Sequence, residues 1–194
     1  MNVEKLKKSI GLFISLSDEE WQQVFNAFRM ETLKKNNYFL TEGQVCKSIA
    51  YVNFGMLIYF KSLTNSDEMT TDFAFEGDWV TDNHSRLNSS PSLLNIKAIE
   101  DTELLVLTSK NLSALYDNIP KTERLGRILI EQAFIKVTQQ NIDLQVLSAK
   151  EHYVKLLEQQ PEVFQKIPLY HIANYLGINP KSLSRIRNEI LTNK

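Results

Sequence analysis

The alternation of apolar and polar positions changes its period twice along the chain. Near the start, Trp21, Val24, Phe25 and Phe28 recur at helical spacing behind Ser17, with Glu20 three positions after that serine. Ser17 and Glu20 therefore predict a capping box, in which each side chain accepts from the other residue's backbone N–H. From about Leu33 the helical period gives way to short runs rich in Val, Ile, Tyr, Phe and Thr: "YFLTEG", "IAYVNFGMLIYF", "EMTTDFAFEGDWV" and "NIKAIEDTELLVLT". Gly43, Gly55, Gly77 and the polar turn "TNSDE" punctuate these runs, a pattern that predicts a small antiparallel sandwich or barrel.

Beyond Ser109, read as the N-cap of "NLSALYDN", the helical period returns, and Pro120 introduces a long helix from about Thr122 to Leu147. Leu125, Ile128, Ile135, Ile142 and Val146 share one stripe of it, with Gln132 and Gln139 at the remaining heptad positions. Ile130, Phe134, Val137 and Leu144 form a second stripe about 200° away at ~100° per residue. A helix apolar on two faces needs two coverings. One is expected from the chain's own β-domain, and the other from the same helix of a second copy, through Leu125, Ile128, Gln132, Ile135, Gln139 and Ile142. A central helix buried within one monomer is the alternative, but the glutamine-interrupted heptad suits a seam better than a core.

Residues 149–160 and Val163 to Lys166 read as further helix, with a polar corner at Pro161. The stretch "IANYLGINPKSLSRIR" then packs two short amphipathic helices around a glycine turn. Ile172, Ala173 and Leu176 share a face of the first, Gly177 suits a C′ position with positive φ, Asn179 is a good N-cap and Pro180 a good first helical residue. A turn of about three residues makes the helices cross steeply, as in a helix-turn-helix. On the second helix Leu183, Ile186 and Ile190 point inward, whereas Lys181, Ser184, Arg185 and Asn188 project outward with Arg187 on a flank. Arginine and asparagine on such a face match the hydrogen-bonding edges of guanine and adenine, and Ser182 and Arg187 suit phosphates. The second helix is therefore expected to read double-stranded DNA. A dimer would place two such helices ~34 Å apart on a near-palindromic site.

Composition narrows the rest. A length of 194 residues suits two modest domains of an α+β chain. The net charge of −1 is unevenly distributed: from Gln145 onward seven Lys/Arg stand against four Asp/Glu, so the tail is basic and the body acidic. Non-specific affinity for DNA should accordingly be modest and salt-dependent. The single cysteine, Cys46, is expected to be a buried apolar side chain, and one thiol is too few for an iron–sulfur cluster. No apolar run approaches the ~20 residues of a membrane span and the N-terminus lacks a secretory pattern, so a cytoplasmic protein without membrane contact is expected. No phosphate-binding glycine loop, nucleophile elbow or metalloprotease motif is present, and His84, His152 and His171 are scattered; neither an enzyme nor a metal site is expected. His171 is read as a surface or packing residue.

Together these segments resemble the Crp/Fnr family of bacterial transcription regulators. "YFLTEG", "YVNFGMLIYF", "FEGDWV" and "AIEDTELLVLT" are similar to its β-roll, residues 122–147 to its dimer helix, and "IPLYHIANYLGINPKSLSRIR" to its helix-turn-helix in a Bacteroidetes-type form. The resemblance implies a cyclic-nucleotide-binding-like double-stranded β-helix (jelly-roll) domain over residues 1–121 with an N-terminal helix. A dimerisation helix over 122–147 and an all-α DNA-binding domain over 148–194 would follow. It carries base contacts onto Lys181, Ser184 and Arg185 and a phosphate contact onto Ser182. RNA polymerase and a small-molecule effector are further partners that it leaves open.

The departures concern the effector. Where cyclic-AMP-binding members have Gly-Glu this chain has Thr81 and Asp82, and where they have Arg-Ser-Ala or Arg-Thr-Ala it has Ser92, Leu93 and Leu94. An anion buried without an arginine or a backbone-exposing glycine is poorly compensated, so no cyclic AMP cofactor is expected. Thr81, Asp82, Ser92 and Leu93 mark the pocket, and His84 and Arg86 are read as lying in a nearby loop. The chain ends at Lys194, soon after the reading helix, so a β-hairpin wing is expected to be missing. The alternative function is a metabolite-binding sensor whose terminal hairpin docks on a protein.

Overall fold

The computed structural model describes residues 3–63 and 68–192. The turn expected within "TNSDE" lies outside the described residues apart from Glu68, as does Lys194. The chain opens with helices α1 (Glu4–Gly11) and α2 (Asp18–Ala27). The capping box forms: Glu20 N–H donates to Ser17 Oγ at 3.2 Å, and Ser17 N–H to Glu20 Oε2 at 2.8 Å. Phe28, expected on that helix, is instead its extended C-cap, and strand β1 (Arg29–Leu33) starts at once. The sequence of β1, "RMETL", has no clean alternation because most of this edge strand is open to solvent.

Seven more strands follow: β2 (Tyr38–Leu40), β3 (Ser48–Phe54), β4 (Leu57–Ser62), β5 (Glu68–Ala74), β6 (Trp79–Val80), β7 (Asn95–Ala98) and β8 (Thr102–Thr108). They form two four-stranded sheets, ordered β1-β8-β3-β6 and β2-β7-β4-β5, in a jelly-roll-like arrangement. Pairings of β8 with β1 and β3, of β3 with β6 and of β2 with β7 are antiparallel. Leu40, Val52, Leu57, Ile96, Leu104 and Val106 fill the space between the sheets. On the outer face of β3 and β8, Tyr51, Leu105 and Leu107 pack against Leu6 and Ile10 of α1, Val24 of α2 and Leu115. Strand β8 is therefore buried on both faces, which is why its sequence is an unbroken apolar run. Gly55 (φ +95°) turns β3 into β4; a Cβ there would lie 2.5 Å from Thr102 Oγ1.

Helix α3 (Asn83–Asn88) interrupts the strands between β6 and β7. After β8 come α4 (Ser109–Asn118), capped by Thr108 rather than by Ser109 as expected, and the 27-residue α5 (Pro120–Val146). The remaining helices are α6 (Ala149–Gln159), α7 (Glu162–Lys166), α8 (Leu169–Tyr175) and α9 (Pro180–Thr192). A second capping box, Ser148 with Glu151, starts α6.

The chain forms two compact units, one of residues 1–59 and 73–133, the other of residues 60–72 and 134–194. The second unit thus includes the end of the β4–β5 hairpin. Polar links hold it there: Lys136 Nζ lies 2.8 Å from Asp72 Oδ2, Thr70 Oγ1 lies 2.9 Å from His171 Nδ1, and Asn174 Nδ2 donates to the Glu68 carbonyl at 2.5 Å. His171 is 1 % exposed, a packing residue of α8.

Two placements correct the expectations for α5. Leu125, assigned to the dimer seam, is 7 % exposed and packs with Ile10, Val24 and Leu115 of its own unit. The second apolar stripe does not lie on the β-domain: Ile130, Phe134, Val137 and Leu144 are exposed, while Leu129 joins Leu125 against the core. Position along the helix, more than angle around it, decides which apolar residues the chain covers itself.

Candidate nucleic-acid interface and ligand sites

Helices α8 and α9 are joined by a turn in which Gly177 has φ +67°, the left-handed conformation expected at a C′ glycine. Ser182 N–H donates to Asn179 Oδ1 at 2.9 Å, so Asn179 is the N-cap of α9 and Pro180 its first residue. Leu183 and Ile186 are buried with Ile172, Ala173 and Leu176 among the core residues, and Ile190 is half-buried. Lys181, Ser184, Arg185 and Asn188 are exposed, with Ser182 and Arg187 half-buried on the flanks. The helical wheel therefore assigns the outer face correctly. Missing from it is Glu189, whose carboxylate lies 3.8 Å from Arg185 Nε and 3.1 Å from Lys150 Nζ. Exposed pairs of this kind are weak, so Arg185 is held only lightly in the free protein. Ser184 Oγ donates to the Pro180 carbonyl at 3.0 Å.

Of the expected seam residues beyond Leu125, Ile128 is half-buried, and Gln132, Ile135, Gln139 and Ile142 are exposed. Gln139 donates to Asp143 Oδ1 at 2.9 Å within its own chain. Val146 continues the seam stripe, and on the opposite side of the helix Ile130, Phe134, Val137 and Leu144 are exposed as well, Phe134 at 71 %.

The residues expected around an effector separate. Asp82 and Ser92 come together, Ser92 Oγ donating to Asp82 Oδ2 at 2.7 Å and Ser85 N–H to Asp82 Oδ1 at 3.1 Å, whereas Thr81 Oγ1 donates to the Ser48 carbonyl at 3.0 Å. Leu93 does not join them, being 58 % exposed, because the turn after Ser92 points it outward. The buried Asp82 carboxylate caps α3. His84 and Arg86 lie on α3, not in a loop; six mostly polar residues carry no helical periodicity to read. Cys46 is buried, with Sγ 3.2 Å from the Ser48 carbonyl.

A polar cavity of about 290 Å³ in the second unit has no counterpart in the sequence reading; its lining includes Gln139, Asp143, His152, Lys155 and Tyr175. These positions are scattered over α5, α6 and α8, so no spacing announces them. The Lys155 ammonium, 2.5 Å from Asp143 Oδ2, together with the Gln139 amide, holds that carboxyl below its usual range. Burial lowers the pKa of the His152 imidazole, against the opposing pull of Asp143. Burial raises the pKa of the Tyr175 phenol. Among the described residues no group of three or more His, Cys, Asp and Glu is placed to hold a metal ion, and no helix is long and apolar enough to cross a membrane.

Comparison with known proteins accords with this geometry. Residues 30–118 match the cyclic nucleotide-binding domain. No curated protein matches the sequence. Among solved structures, FixK2 from Bradyrhizobium japonicum is 18 % identical with a TM-score of 0.73, covering 86 % of this chain and 85 % of that one. The c-di-GMP responsive global regulator CLP of Xanthomonas campestris is 12 % identical with a TM-score of 0.70, over 91 % and 93 %. A transcriptional regulator assigned to the Crp/Fnr family from Eubacterium rectale is 17 % identical with a TM-score of 0.69, over 92 % and 85 %. Residues 30–118 are thus similar to the cyclic nucleotide-binding domain, within a chain whose fold is that of Crp/Fnr-type regulators.

Proposed function

We propose that this chain is a dimeric, sequence-specific DNA-binding transcription regulator of the Crp/Fnr type, acting in the cytoplasm without cyclic AMP control. The observation that carries the reading is the outer face of α9, where Lys181, Ser184, Arg185 and Asn188 are exposed on a helix anchored by buried Leu183 and Ile186. Residues 169–192 then act as a helix-turn-helix, in the Bacteroidetes-type form noted above, within a DNA-binding domain over 148–194. Arg185 and Asn188 address base edges, and Ser182 and Arg187 address phosphates. The exposed apolar surface of α5, with Ile135 and Ile142 at its centre, supports pairing with a second copy over 122–147. Independence from cyclic AMP is supported by Ser92, Leu93 and Leu94, which offer a cyclic phosphate no arginine, with Leu93 turned to solvent. RNA polymerase is the further partner an activator of this type would engage.

The test is a mobility shift with the DNA upstream of the chain's own gene, at low and physiological salt and without added ligand. Arg185→Ala should weaken specific binding by about 1–3 kcal/mol while leaving the fold intact. Unchanged affinity in that variant would overturn the assignment of α9 as the reading helix. Absence of binding at both salts would turn attention to a hairpin that docks on a protein.

A further inference from the structure

The loop between β2 and β3, helix α3 and the start of α4 line an open groove of about 990 Å³ in the first unit. Its walls are fixed by hydrogen bonds. Cys46 N–H donates to Ser85 Oγ at 2.8 Å, Ser109 N–H donates to the Lys47 carbonyl at 2.8 Å, and Ser92 N–H donates to the Gln44 carbonyl at 2.8 Å. The lining contains three cations, Lys47, Arg86 and Lys110, and no carboxylate. Among the described residues neither Lys47 nor Lys110 has an ion-pair partner. In a chain of net charge −1, such a concentration of one sign in a groove is informative.

Two buried polar atoms in the same lining lack partners. Arg86 Nη2 donates to Asn83 Oδ1 at 2.9 Å, but Arg86 Nε has no acceptor, and neither has Ser109 Oγ. Buried polar groups are normally bonded, and an orphan costs about 1–3 kcal/mol. Both residues are half-buried and belong to the lining of the groove. Water would satisfy the hydrogen bonds and leave the positive charges uncompensated; an oxyanion does both. A phosphomonoester, with about two negative charges and three acceptor oxygens, suits three cations and a hydroxyl better than a carboxylate does.

We propose that this groove binds a phosphorylated small molecule, with Lys47, Arg86 and Lys110 compensating the phosphate and Ser109 donating to it. Asp82 and Ser92 brace the groove without lining it, and binding there does not depend on DNA reading by α9. It is tested by calorimetric titration of the full chain with inorganic pyrophosphate as the probe, at low ionic strength and pH 8. Saturable one-to-one binding is expected, weakened at least tenfold in Arg86→Gln and in the double variant Lys47→Gln/Lys110→Gln, and unchanged in Lys8→Gln on α1. Absence of saturable binding overturns the proposal, as does retention of affinity by folded Arg86→Gln, or an equal loss in Lys8→Gln, which would mark a diffuse charge effect. Should Arg86→Gln fail to fold by circular dichroism, the lysine double variant decides: loss of binding supports the site and retention overturns it.

Discussion

Strand β8 and helix α5 both carry apolar residues on opposite faces, and the chain treats them differently. In β8, Leu104 and Val106 enter the core between the sheets while Leu105 and Leu107 meet the helical cluster, so both faces are covered from within. In α5 only the first turns are covered, through Leu125 and Leu129, and the apolar residues from Ile130 to Val146 stand open. Two-sided apolarity in a sequence therefore says that two coverings exist and not where they come from. The strand takes both from its own chain, whereas the helix leaves most of its apolar residues exposed.

This contrast predicts opposite responses to similar substitutions. Leu104→Ala or Leu105→Ala should each destabilise the protein by about 2–5 kcal/mol, read by chemical denaturation at any protein concentration. Ile135→Gln with Ile142→Gln should barely alter the stability of the monomer yet weaken the proposed self-association by about 2 kcal/mol or more, read by sedimentation equilibrium. A double variant that unfolds the monomer would erase the distinction between the two elements. The smallest expected effect is acid sensitivity in the second unit. Because burial lowers the His152 pKa from near 6.5, the unfolded chain protonates first, so stability is full above about pH 6.5 and falls as pH drops through the folded value. The lowered Asp143 carboxyl adds a loss further into acid, below its ordinary 3.8. Melting temperature measured against pH should decline first in the His152 window, and His152→Gln should flatten that limb alone.

Much of this arrangement could be read before the structure, for local reasons. The capping box at Ser17, the runs rich in Val, Ile, Tyr, Phe and Thr and the Gly177–Asn179–Pro180 turn are each determined by neighbours in sequence. What resisted reading depends on distant partners or lacks periodicity. Helix α3 is too short and polar to announce itself, β1 lies on an edge, and Leu125 is covered by helices more than a hundred residues earlier. For the candidate sites, the outer face of α9 follows from helical geometry alone. By contrast, the use of Asp82 as an internal cap, the outward turn of Leu93 and the gathering of Lys47, Arg86 and Lys110 are tertiary facts.

The hairpin end held by Thr70, Glu68 and Asp72 also bears on how the protein can be dissected. A fragment beginning at residue 134, the natural choice for expressing the terminal helices alone, would leave residues 60–72 behind. His171 would lose the Thr70 hydroxyl, Asn174 the Glu68 carbonyl and Lys136 its carboxylate. The terminal helices are therefore not a cassette that can be grafted onto another protein by splicing the C-terminal sequence alone, because part of their support is encoded some sixty residues upstream of the splice.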